Sequence, residues 1–492
     1  MTLSEMLARN ARKYGDALAI TDDAKQLSWA ELNTQVEELA AWLQQEYQVQ
    51  AGDRVALVIP NSIAFVLGFF AIQRLDAIAV PINVRLTTPE LGFIIEDSGA
   101  KLVLTCSMTD QALKALVTAG LPALWLDEWQ PDWAKETSLP KTEASAESPC
   151  ILLYTSGTTG RPKGVLFQQK AIQSVATMIA LEMAMSPRSK LLHLMPFTHS
   201  APLNLFLLAG TLVGATHVVA PTFTPDLLLN LVSKHRVTHF FGAPVAYLLT
   251  AQQPAIEQTD LSSVTHWIYG GAAMSTEHTK LVQRAFRSSD FYCVYGLTEA
   301  GPSGILLLPD EHPEKAGSVG RRAAFNTEVR LRTEAGNEPG VEEPGEVEIF
   351  GEGMMQCYWQ NPAATQATFT SDGWLKTGDI AVRDQDGFYW IKDRKKDIII
   401  SGGVNIYPRE IEDALSEHPA VAEAAVIGIP HEQWGESVKA YVVLREKMSN
   451  VQDELTEFLA QRLADYKLPR SYSERDALPR NANGKVLKHE LA

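Results

Sequence analysis

The sequence predicts a multidomain α/β protein with a large N-terminal region of doubly wound, mostly parallel sheet and a small α+β region at the C-terminus. Three observations predict it. Helical patterns alternate with short apolar strands up to about residue 320, the pattern changes to short strands and turns between about 316 and 393, and a compact mixture of strands and helix follows. Alternation of the first kind is typical of βαβ units. At 492 residues the chain is also too long for one ordinary domain.

The N-terminal elements are predicted from their periodicity. The predicted helices are LSWAELNTQVEELAAWLQQ and AFVLGFFAIQRL, and the predicted strands are RVALVIP, AIAVPIN and KLVLTC. The longest apolar stretch, 202–221, is interrupted by polar residues at Asn204, Thr211 and His217 and by two glycines. These interruptions favour a buried helix followed by a strand over a membrane span.

The C-terminal half contains two further patterns of predicted secondary structure. The segments TEVRLRT, GEVEIFG and GFYWIKD predict a small antiparallel barrel or sheet, and the later segments AVAEAAVIGI, SVKAYVVL and DELTEFLAQRLADY predict two strands and a helix. Between them lies the charged run RKKD, 394–397, which is either a hinge or an ordinary surface turn. We place the domain boundary there, giving 1–393, a hinge at 394–397, and 398–492.

Composition excludes several classes of protein. The chain is 46% hydrophobic and 21% charged with a net charge of −16, which argues against a nucleic-acid or anionic-membrane surface and requires a local patch for any polyanionic ligand. The four cysteines have no metal-binding spacing and are expected to be reduced. The N-terminal residues contain no signal-peptide pattern, so we expect a cytoplasmic protein without transmembrane segments. Nothing in the sequence indicates the oligomeric state.

The run YTSGTTGRPKGV, 154–165, predicts a phosphate-binding loop between two strands, with a helix starting near Gln168. It combines hydroxyl donors with glycines that can turn backbone N–H groups inward, and Lys163 adds a mobile positive charge. The hydroxyl donors are Thr155, Ser156, Thr158 and Thr159, and the glycines are Gly157, Gly160 and Gly164. The order is not that of a Walker A loop. A flexible linker is the alternative, but a linker needs no fixed Pro-Lys-Gly between apolar strands.

Five more clusters contain residue types used in binding or catalysis, and each also has a purely structural interpretation. YGGAA, 269–273, admits a flat ligand or forms a tight turn. In VYGLTEA, 294–300, Glu299 suits magnesium, which prefers oxygen ligands, or is a surface acid. In GWLKTGDI, 373–380, Asp379 can accept both hydroxyls of a ribose or is a solvated turn residue. Lys485 in NANGKVL and His199 in PFTH are, taken alone, a solvent-exposed tail lysine and a core histidine.

Taken together, these motifs resemble the adenylate-forming acyl-CoA synthetase superfamily, which includes fatty-acid and 4-coumarate CoA ligases and luciferase. The resemblance rests on YTSGTTGRPKGV, PFTH, YGGAA, VYGLTE, GWLKTGDI, IKDRKKDIIISGGVNIYPREIE and LPRNANGK in this order, and covers about 10–490. It implies a large N-terminal domain of two doubly wound α/β subdomains plus a small β-barrel, and a small mobile α+β C-terminal domain.

The resemblance also implies roles for individual residues. The residues implied to contact ATP or AMP are Thr155, Ser156, Gly157, Thr158, Thr159, Lys163, Gly270, Gly271, Ala272, Tyr295, Gly296, Thr298, Asp379, Arg394 and Lys485. Those implied to act in catalysis are Lys485, Glu299, Thr155 and His199, with Glu299 as the magnesium ligand. Lys396 matches the hinge, and Gly402 and Gly403 match glycines of the tunnel that holds the pantetheine arm of CoA.

The implied activity is a two-step ligation that uses ATP, magnesium and CoA. Apolar stretches at 200–210 and 240–250 favour an uncharged hydrophobic acid, and a medium- or long-chain fatty acid is expected. An aromatic acid of the coumarate or succinylbenzoate type is the alternative, as is an enzyme that loads a carrier protein. A non-catalytic homologue is disfavoured because the key charged residues are present. Two departures from the family pattern are Thr198, where an aromatic is common, and Asp76, where a glycine is common.

Overall fold

The computed structural model describes residues 1–22, 24–107, 120–129, 144–155, 162–402, 404–446, 448, 450–480 and 486–491. The α-helices are α1 Leu3–Tyr14, α2 Trp29–Tyr47, α3 Ile63–Arg74, α4 Thr88–Ser98, α5 Gln169–Glu182, α6 Ala209–Val213, α7 Pro225–His235, α8 Pro244–Ala251, α9 Thr276–Phe286, α10 His312–Lys315, α11 Pro362–Thr368, α12 Pro408–Ser416 and α13 Val451–Ala460. A π-helix spans Ala201–Leu208, and 3₁₀-helices span Pro254–Glu257, Thr298–Ala300, Pro309–Glu311, Lys395–Asp397, Asp465–Lys467 and Lys488–Glu490.

The strands are β1 Leu18–Thr21, β2 Gln26–Ser28, β3 Arg54–Val58, β4 Ile78–Pro81, β5 Leu102–Thr105, β6 Ala123–Trp125, β7 Pro149–Thr155, β8 Lys163–Gln168, β9 Lys190–His193, β10 Thr216–Val219, β11 His239–Gly242, β12 His266–Gly270, β13 Phe291–Gly296, β14 Gly304–Leu307, β15 Arg322–Ala323, β16 Thr327–Arg332, β17 Gly345–Gly351, β18 Cys357–Tyr358, β19 Leu375–Arg383, β20 Tyr389–Arg394, β21 Ile399–Ser401, β22 Val404–Ile406, β23 Val421–His431, β24 Gly435–Leu444 and β25 Ser471–Glu474.

Two large, mostly parallel sheets confirm the predicted fold class. The nine-stranded sheet has the order β15-β14-β13-β12-β11-β9-β10-β1-β2, and the strands from β13 to β1 in this order are parallel to one another. The seven-stranded sheet has the order β18-β8-β7-β4-β3-β5-β6, with β7 through β6 parallel. In both sheets the chain returns through helices, as βαβ units require. The predicted barrel or antiparallel sheet is a four-stranded sheet, β16-β17-β19-β20.

Local sequence explains where the predicted helices begin and end. In α2, the Ser28 side chain accepts the Glu31 N–H while the Glu31 carboxylate accepts the Ser28 N–H, which is a capping box. Helix α3 is buried over almost its whole length because it lies inside the core, where Phe65, Phe69 and Phe70 pack on one another. The helix and strand predicted for 202–221 are confirmed, although the first part of the helix is a π-helix.

The chain forms two compact units, Met1–Val329 with Glu348–Lys376, and Arg330–Val347 with Thr377–Ala492. The second unit contains the long antiparallel hairpin β23–β24, with β25 parallel to β24, and α12 packs on this sheet over a buried aliphatic cluster. The strands and helix predicted for this region are confirmed. Among the described residues, no helix is both long and apolar enough to cross a membrane. The four cysteines, all described, form no disulfide.

Candidate active site

In the first unit, the candidate residues follow the carboxyl ends of parallel strands. Strand β12 ends at Gly270 and β13 ends at Gly296, and the two strands are paired side by side. Strand β9, in the same sheet, ends at His193 shortly before the turn at 196–199. Because these ends meet at one edge of the sheet, the segments 270–272, 295–299 and 196–199 lie along the edge where α/β proteins bind ligands.

Close backbone packing explains two glycines of this edge. A Cβ atom at Gly296 would lie 2.3 Å from the carbonyl oxygen of Pro302, and one at Gly270 would lie 2.7 Å from that of Val294. Neither position can hold a side chain unless the backbone shifts. The neighbouring Gly271 has φ +80 and open space where a Cβ would be. Gly270 and Gly296 therefore permit close backbone packing at the ends of β12 and β13, and Gly271 leaves open space beside them.

The predicted phosphate loop connects two antiparallel strands, as expected. Strand β7 ends at Thr155, which pairs with Lys163 at the start of β8, and the Thr155 hydroxyl donates to the Lys163 carbonyl oxygen at 3.5 Å. Helix α5 begins at Gln169, which confirms the predicted helix start. Of the predicted loop contacts, Ser156, Gly157, Thr158 and Thr159 lie outside the described residues.

Tyr358 connects the strand after this loop to the candidate magnesium ligand, and sequence reasoning missed it. Its hydroxyl donates to Oε1 of Glu299 at 2.7 Å, and the Lys163 Nζ lies 5.0 Å from the centroid of its ring. Tyr358 lies in β18, which pairs with β8, so the sheet brings it to the site from almost 200 residues away in sequence. No motif marks this tyrosine. Only strand pairing could have placed it.

Hydroxyl and amide contacts join the PFTH turn to the segment that contains Glu299. The hydroxyls of Ser200 and Thr298 lie 3.1 Å apart, and the buried Asn204 amide donates to the Gly301 carbonyl oxygen at 3.1 Å. His199 lies next to this contact and its N–H closes the turn on the Pro196 carbonyl at 3.1 Å. The structure thus brings His199 and Thr298 into one neighbourhood.

A pair of buried histidines lies beneath the PFTH turn. His193 Nε2 lies 2.9 Å from His217 Nδ1, and the His193 ring packs 5.1 Å from the ring of Phe197. The Thr211 hydroxyl donates to the Leu207 carbonyl, so its oxygen can accept from His217 Nε2 at 3.3 Å. That leaves His217 Nδ1 as the acceptor and His193 Nε2 as the donor.

Both of these histidines are neutral. Burial lowers the pKa of His217 to about 3. Burial together with the neighbouring His217 ring lowers the pKa of His193 well below its usual range. We therefore interpret these two residues as buried core histidines with hydrogen-bonded rings.

The two apolar stretches predicted to line an acyl pocket contact each other. The ring of Phe206, in the π-helix, stacks on that of Phe241, in β11, with centroids 5.1 Å apart. A Cβ at Gly270 would lie 3.3 Å from Cε2 of Phe241, so this aromatic pair borders the glycine edge. An apolar surface therefore adjoins the end of β12.

The side chains near Glu299 suit magnesium better than a transition metal. Among the described residues, no group of three or more His, Cys, Asp or Glu side chains could hold a metal. The oxygen donors in this neighbourhood include the Glu299 carboxylate and the hydroxyls of Thr298, Ser200 and Tyr358. Magnesium commonly takes one or two protein carboxylates and completes its shell with water and substrate phosphates. The donor set therefore fits a magnesium ion that arrives with a nucleotide.

In the second unit, the two residues predicted to contact a ribose form an ion pair. Asp379 in β19 pairs with Arg394 in β20, and the Arg394 Nε lies 2.7 Å from the Asp379 Oδ1. The Arg394 Nη1 also donates to the Thr377 carbonyl at 3.0 Å, and the Asp379 side chain is only 7% exposed. The paired guanidinium holds this carboxylate in one orientation.

The remaining predicted residues of this unit are partly described. Lys396 lies in the 3₁₀-helix Lys395–Asp397, and its Nζ is 3.6 Å from the Asp397 carboxylate. Gly402 has φ +60, donates its N–H to the Trp434 carbonyl, and would place a Cβ 2.8 Å from the Trp434 ring. Gly403 and Lys485 lie outside the described residues.

Comparisons with known proteins concern the chain as a whole. The model of the AMP-binding enzyme family matches residues 7–359, and that of the AMP-binding enzyme C-terminal domain matches 410–485. A feruloyl-CoA synthase of Amycolatopsis sp is 37% identical over 98% of this chain and 97% of its own. The long-chain-fatty-acid–CoA ligase FadD13 of Mycobacterium tuberculosis is 36% identical over 90% of this chain and 88% of its own. The O-succinylbenzoate CoA synthetase of Bacillus subtilis, solved with ATP and magnesium ion, superimposes with a TM-score of 0.89 at 30% identity, covering 99% of this chain and 98% of that one.

Proposed function

The chain belongs to the AMP-binding enzyme family and is an AMP-forming acid–thiol ligase, and we propose that it joins a medium- or long-chain fatty acid to CoA. The contact between Phe206 and Phe241 beside Gly270 supports this acid class, because it offers an apolar surface to the tail of the acid. The similarity to a long-chain-fatty-acid–CoA ligase supports the same assignment.

In the proposed first step, the acid carboxylate oxygen attacks the α-phosphorus of ATP. A P–O bond forms between the α-phosphorus and the acid, and the bond from the α-phosphorus to the oxygen of the β-phosphate breaks. Pyrophosphate leaves, and the product is an acyl-adenylate. Negative charge grows on the attacking and leaving oxygens, and each well-placed donor lowers the barrier by about 3 kcal/mol. We assign Lys163 and the 155–159 hydroxyls to the β- and γ-phosphates, and Lys485 to the carboxylate and α-phosphate.

The remaining nucleotide contacts are assigned from the resemblance to the family. We assign Gly270, Gly271, Ala272, Tyr295 and Gly296 to adenine. Thr298 is assigned to phosphate, and Asp379 and Arg394 to the ribose. Glu299 is assigned to magnesium, and Tyr358 orients its carboxylate through the 2.7 Å hydrogen bond. Magnesium, when bound, withdraws charge from the phosphate oxygens.

In the proposed second step, the CoA thiol attacks the acyl carbonyl carbon. A C–S bond forms, the bond from that carbon to the AMP phosphate oxygen breaks, and AMP leaves while the thiol proton passes to solvent. We propose that the C-terminal domain turns about Lys396 between the steps, withdraws Lys485 and presents Gly402 and Gly403 to the pantetheine arm. One site thereby serves two reactions.

An aromatic acid is the second candidate substrate. The feruloyl-CoA synthase relative favours it, as does the stacked pair Phe206 and Phe241, which could pack on a third aromatic ring. Thr198 offers a buried hydroxyl oxygen that has no hydrogen-bond partner among the residues that the structure describes, and a phenolic substrate could satisfy it.

Acid-dependent pyrophosphate release, measured with octanoate, palmitate and coumarate in the presence and absence of CoA, tests these proposals. We expect the fatty acids to give release and a CoA thioester with the higher kcat/KM. A preference for coumarate would replace the first candidate by the second. Release with any of the acids but no CoA thioester would indicate that the acceptor is a carrier protein.

A further inference from the structure

A buried asparagine in the loop after β3 holds the backbone of the PFTH turn. Asn61 is only 4% exposed, and its Nδ2 donates to the Met195 carbonyl oxygen at 2.8 Å and to the His193 carbonyl oxygen at 3.4 Å. Its Oδ1 accepts the Phe197 N–H at 2.8 Å. A backbone amide of a neighbouring parallel strand would make the same pair of bonds to residues 195 and 197. The Asn61 side chain therefore replaces a strand at the point where β9 has ended.

The start of α3 fixes Asn61 in its turn. The Ser62 hydroxyl accepts the Phe65 N–H at 3.2 Å, which caps the helix, and donates to the Pro60 carbonyl oxygen at 3.0 Å. The Phe65 ring packs against the buried ring of Phe197, with centroids 5.2 Å apart. Hydrogen bonds and ring packing thus attach the loop after β3, in the seven-stranded sheet, to the turn after β9, in the nine-stranded sheet.

The backbone that Asn61 holds leads directly to His199. The His199 N–H donates to the Pro196 carbonyl at 3.1 Å, and the Leu203 N–H donates to the His199 carbonyl at 3.2 Å. Both backbone groups of His199 are therefore bonded within the turn and the start of the π-helix. Because Pro196 lies between the two residues that the Asn61 amide binds, a shift of this backbone also displaces His199.

We propose that Asn61 is a positioning residue for His199 and that it acts by holding the backbone of residues 195–197. The inference rests on the proposed function, in which the tail of the acid lies beside Phe206 in the π-helix that follows this turn. Removing the Asn61 amide takes away the acceptor of the buried Phe197 N–H, and the turn then moves to satisfy that group. The step that suffers is adenylation, in which the acid reacts.

Gln73 in α3 offers a matched control. Its side chain is 1% exposed, its Nε2 donates to the Cys150 carbonyl oxygen at 2.9 Å, and its Oε1 accepts from the Gln169 amide at 3.2 Å. Gln73→Ala therefore also removes a buried amide that both donates and accepts. These bonds go to β7 and α5 rather than to the PFTH turn, so the control reproduces the structural loss without the proposed effect on His199.

Hydrogen exchange followed by mass spectrometry in full-length protein tests whether Asn61 holds the turn. In Asn61→Ala we expect amide exchange in a peptide covering 195–200 to become at least about tenfold faster, because the Phe197 N–H loses its acceptor. In Gln73→Ala it should stay within about twofold of the wild type. Unchanged exchange in Asn61→Ala, or equal acceleration in both variants, would overturn the inference. This measurement needs no substrate, so it decides even if the proposed function fails.

Acid-dependent exchange of labelled pyrophosphate into ATP tests the consequence for adenylation. For Asn61→Ala we expect kcat/KM for the acid to fall about ten- to a hundredfold, since a misplacement of about 1 Å can cost that much. Gln73→Ala should stay within about twofold per folded molecule. Adding Asn61→Ala to His199→Ala should lower the rate by no more than about a further twofold, because residues that act as a unit are not additive.

Three kinetic outcomes would overturn the positioning role: an unchanged rate in Asn61→Ala, an unchanged rate in His199→Ala, or a fully additive loss in the double variant. If Asn61→Ala does not fold, Asn61→Asp decides, because it keeps an acceptor for the Phe197 N–H and removes the donor to Met195. A wild-type protein without acid-dependent exchange would refute the proposed function instead, and with it the effect on adenylation. The hydrogen-exchange result alone would then decide whether Asn61 holds the turn.

Discussion

Tyr358 shows how one hydroxyl group can organise a charged site. Its hydroxyl binds one oxygen of Glu299 and its ring lies under the Lys163 ammonium, so a neutral side chain holds an acid and a base in place. A direct ion pair between Lys163 and Glu299 would neutralise the charges that phosphate and magnesium require. The tyrosine keeps the Lys163 ammonium available for phosphate and the Glu299 carboxylate available for magnesium.

Tyr358→Phe should therefore raise the magnesium concentration needed for adenylation by about tenfold, because a hydrogen bond to a charged group is worth about 1.5–3 kcal/mol. Magnesium titration of the pyrophosphate exchange rate measures this. Tyr472→Phe is the matched control, because that hydroxyl accepts a hydrogen bond from neutral Thr456 in the second unit. An unchanged magnesium requirement in Tyr358→Phe would show that the contact does not orient Glu299.

At the scale of the elements, strands β9 and β10 carry the buried histidine pair beneath the PFTH turn. His193 and His217 have pKa values below the ordinary histidine value of the unfolded chain, about 6.5. The unfolded chain therefore binds more protons in the window from about 6.5 down to about 3. Stability is complete above this window and is lost as the pH falls through it.

His217→Gln should flatten the acid side of the stability profile. Each neutral buried histidine contributes a slope of about 1.4 kcal/mol per pH unit below about 6.5, and the variant removes one of them. Melting temperatures of the wild type and the variant between pH 4 and 8 measure the difference. Other buried histidines, such as His239, titrate in both proteins and cancel. Parallel profiles would contradict the assignment of His217 as a neutral residue.

The sequence predicted the elements well where one pattern determines them. Helix α2 has its capping box and amphipathic spacing in the sequence itself, and the loop after β7 is marked by its glycines. The π-helix Ala201–Leu208 could not be distinguished from an α-helix, because its residues are almost all apolar and buried and no periodicity is visible.

The site contained residues that no local pattern could reveal. Tyr358 and Ser200 reach it through strand pairing and a tertiary hydroxyl contact, and neither stands in a motif that signals phosphate or metal chemistry.

Asp76 stands where the family pattern commonly has a glycine. It has φ 54, a conformation that glycine adopts readily and aspartate tolerates, so its replacement of the common glycine fits a turn.

At the scale of the whole molecule, the proposed function requires one chain to perform two reactions in turn. The proposed hinge at 394–397 follows β20 and contains the short 3₁₀-helix Lys395–Asp397. Lys396 contacts only its neighbour Asp397 among the ion pairs of the described residues, and its side chain is 45% exposed. Rotation about its backbone would break few side-chain contacts of its own.

Lys396→Pro should separate the two half-reactions. Proline fixes φ near −65° and so hinders backbone rotation at the hinge. We expect thioester formation from supplied acyl-adenylate to fall at least about tenfold, because this step requires the C-terminal domain to turn. Adenylation should be largely kept. Lys396→Ala is the control for loss of the side chain alone. A variant that forms the thioester as fast as the wild type would reject Lys396 as the hinge.

The central claim is that the chain couples ATP cleavage at the α-phosphorus to thioester formation. Its most direct test is product analysis of one reaction containing ATP, magnesium, octanoate and CoA, with a parallel sample lacking CoA. We predict AMP, pyrophosphate and octanoyl-CoA in equal amounts with CoA, and enzyme-bound octanoyl-adenylate with pyrophosphate without it. Formation of ADP and phosphate, or thioester without AMP, would contradict the account.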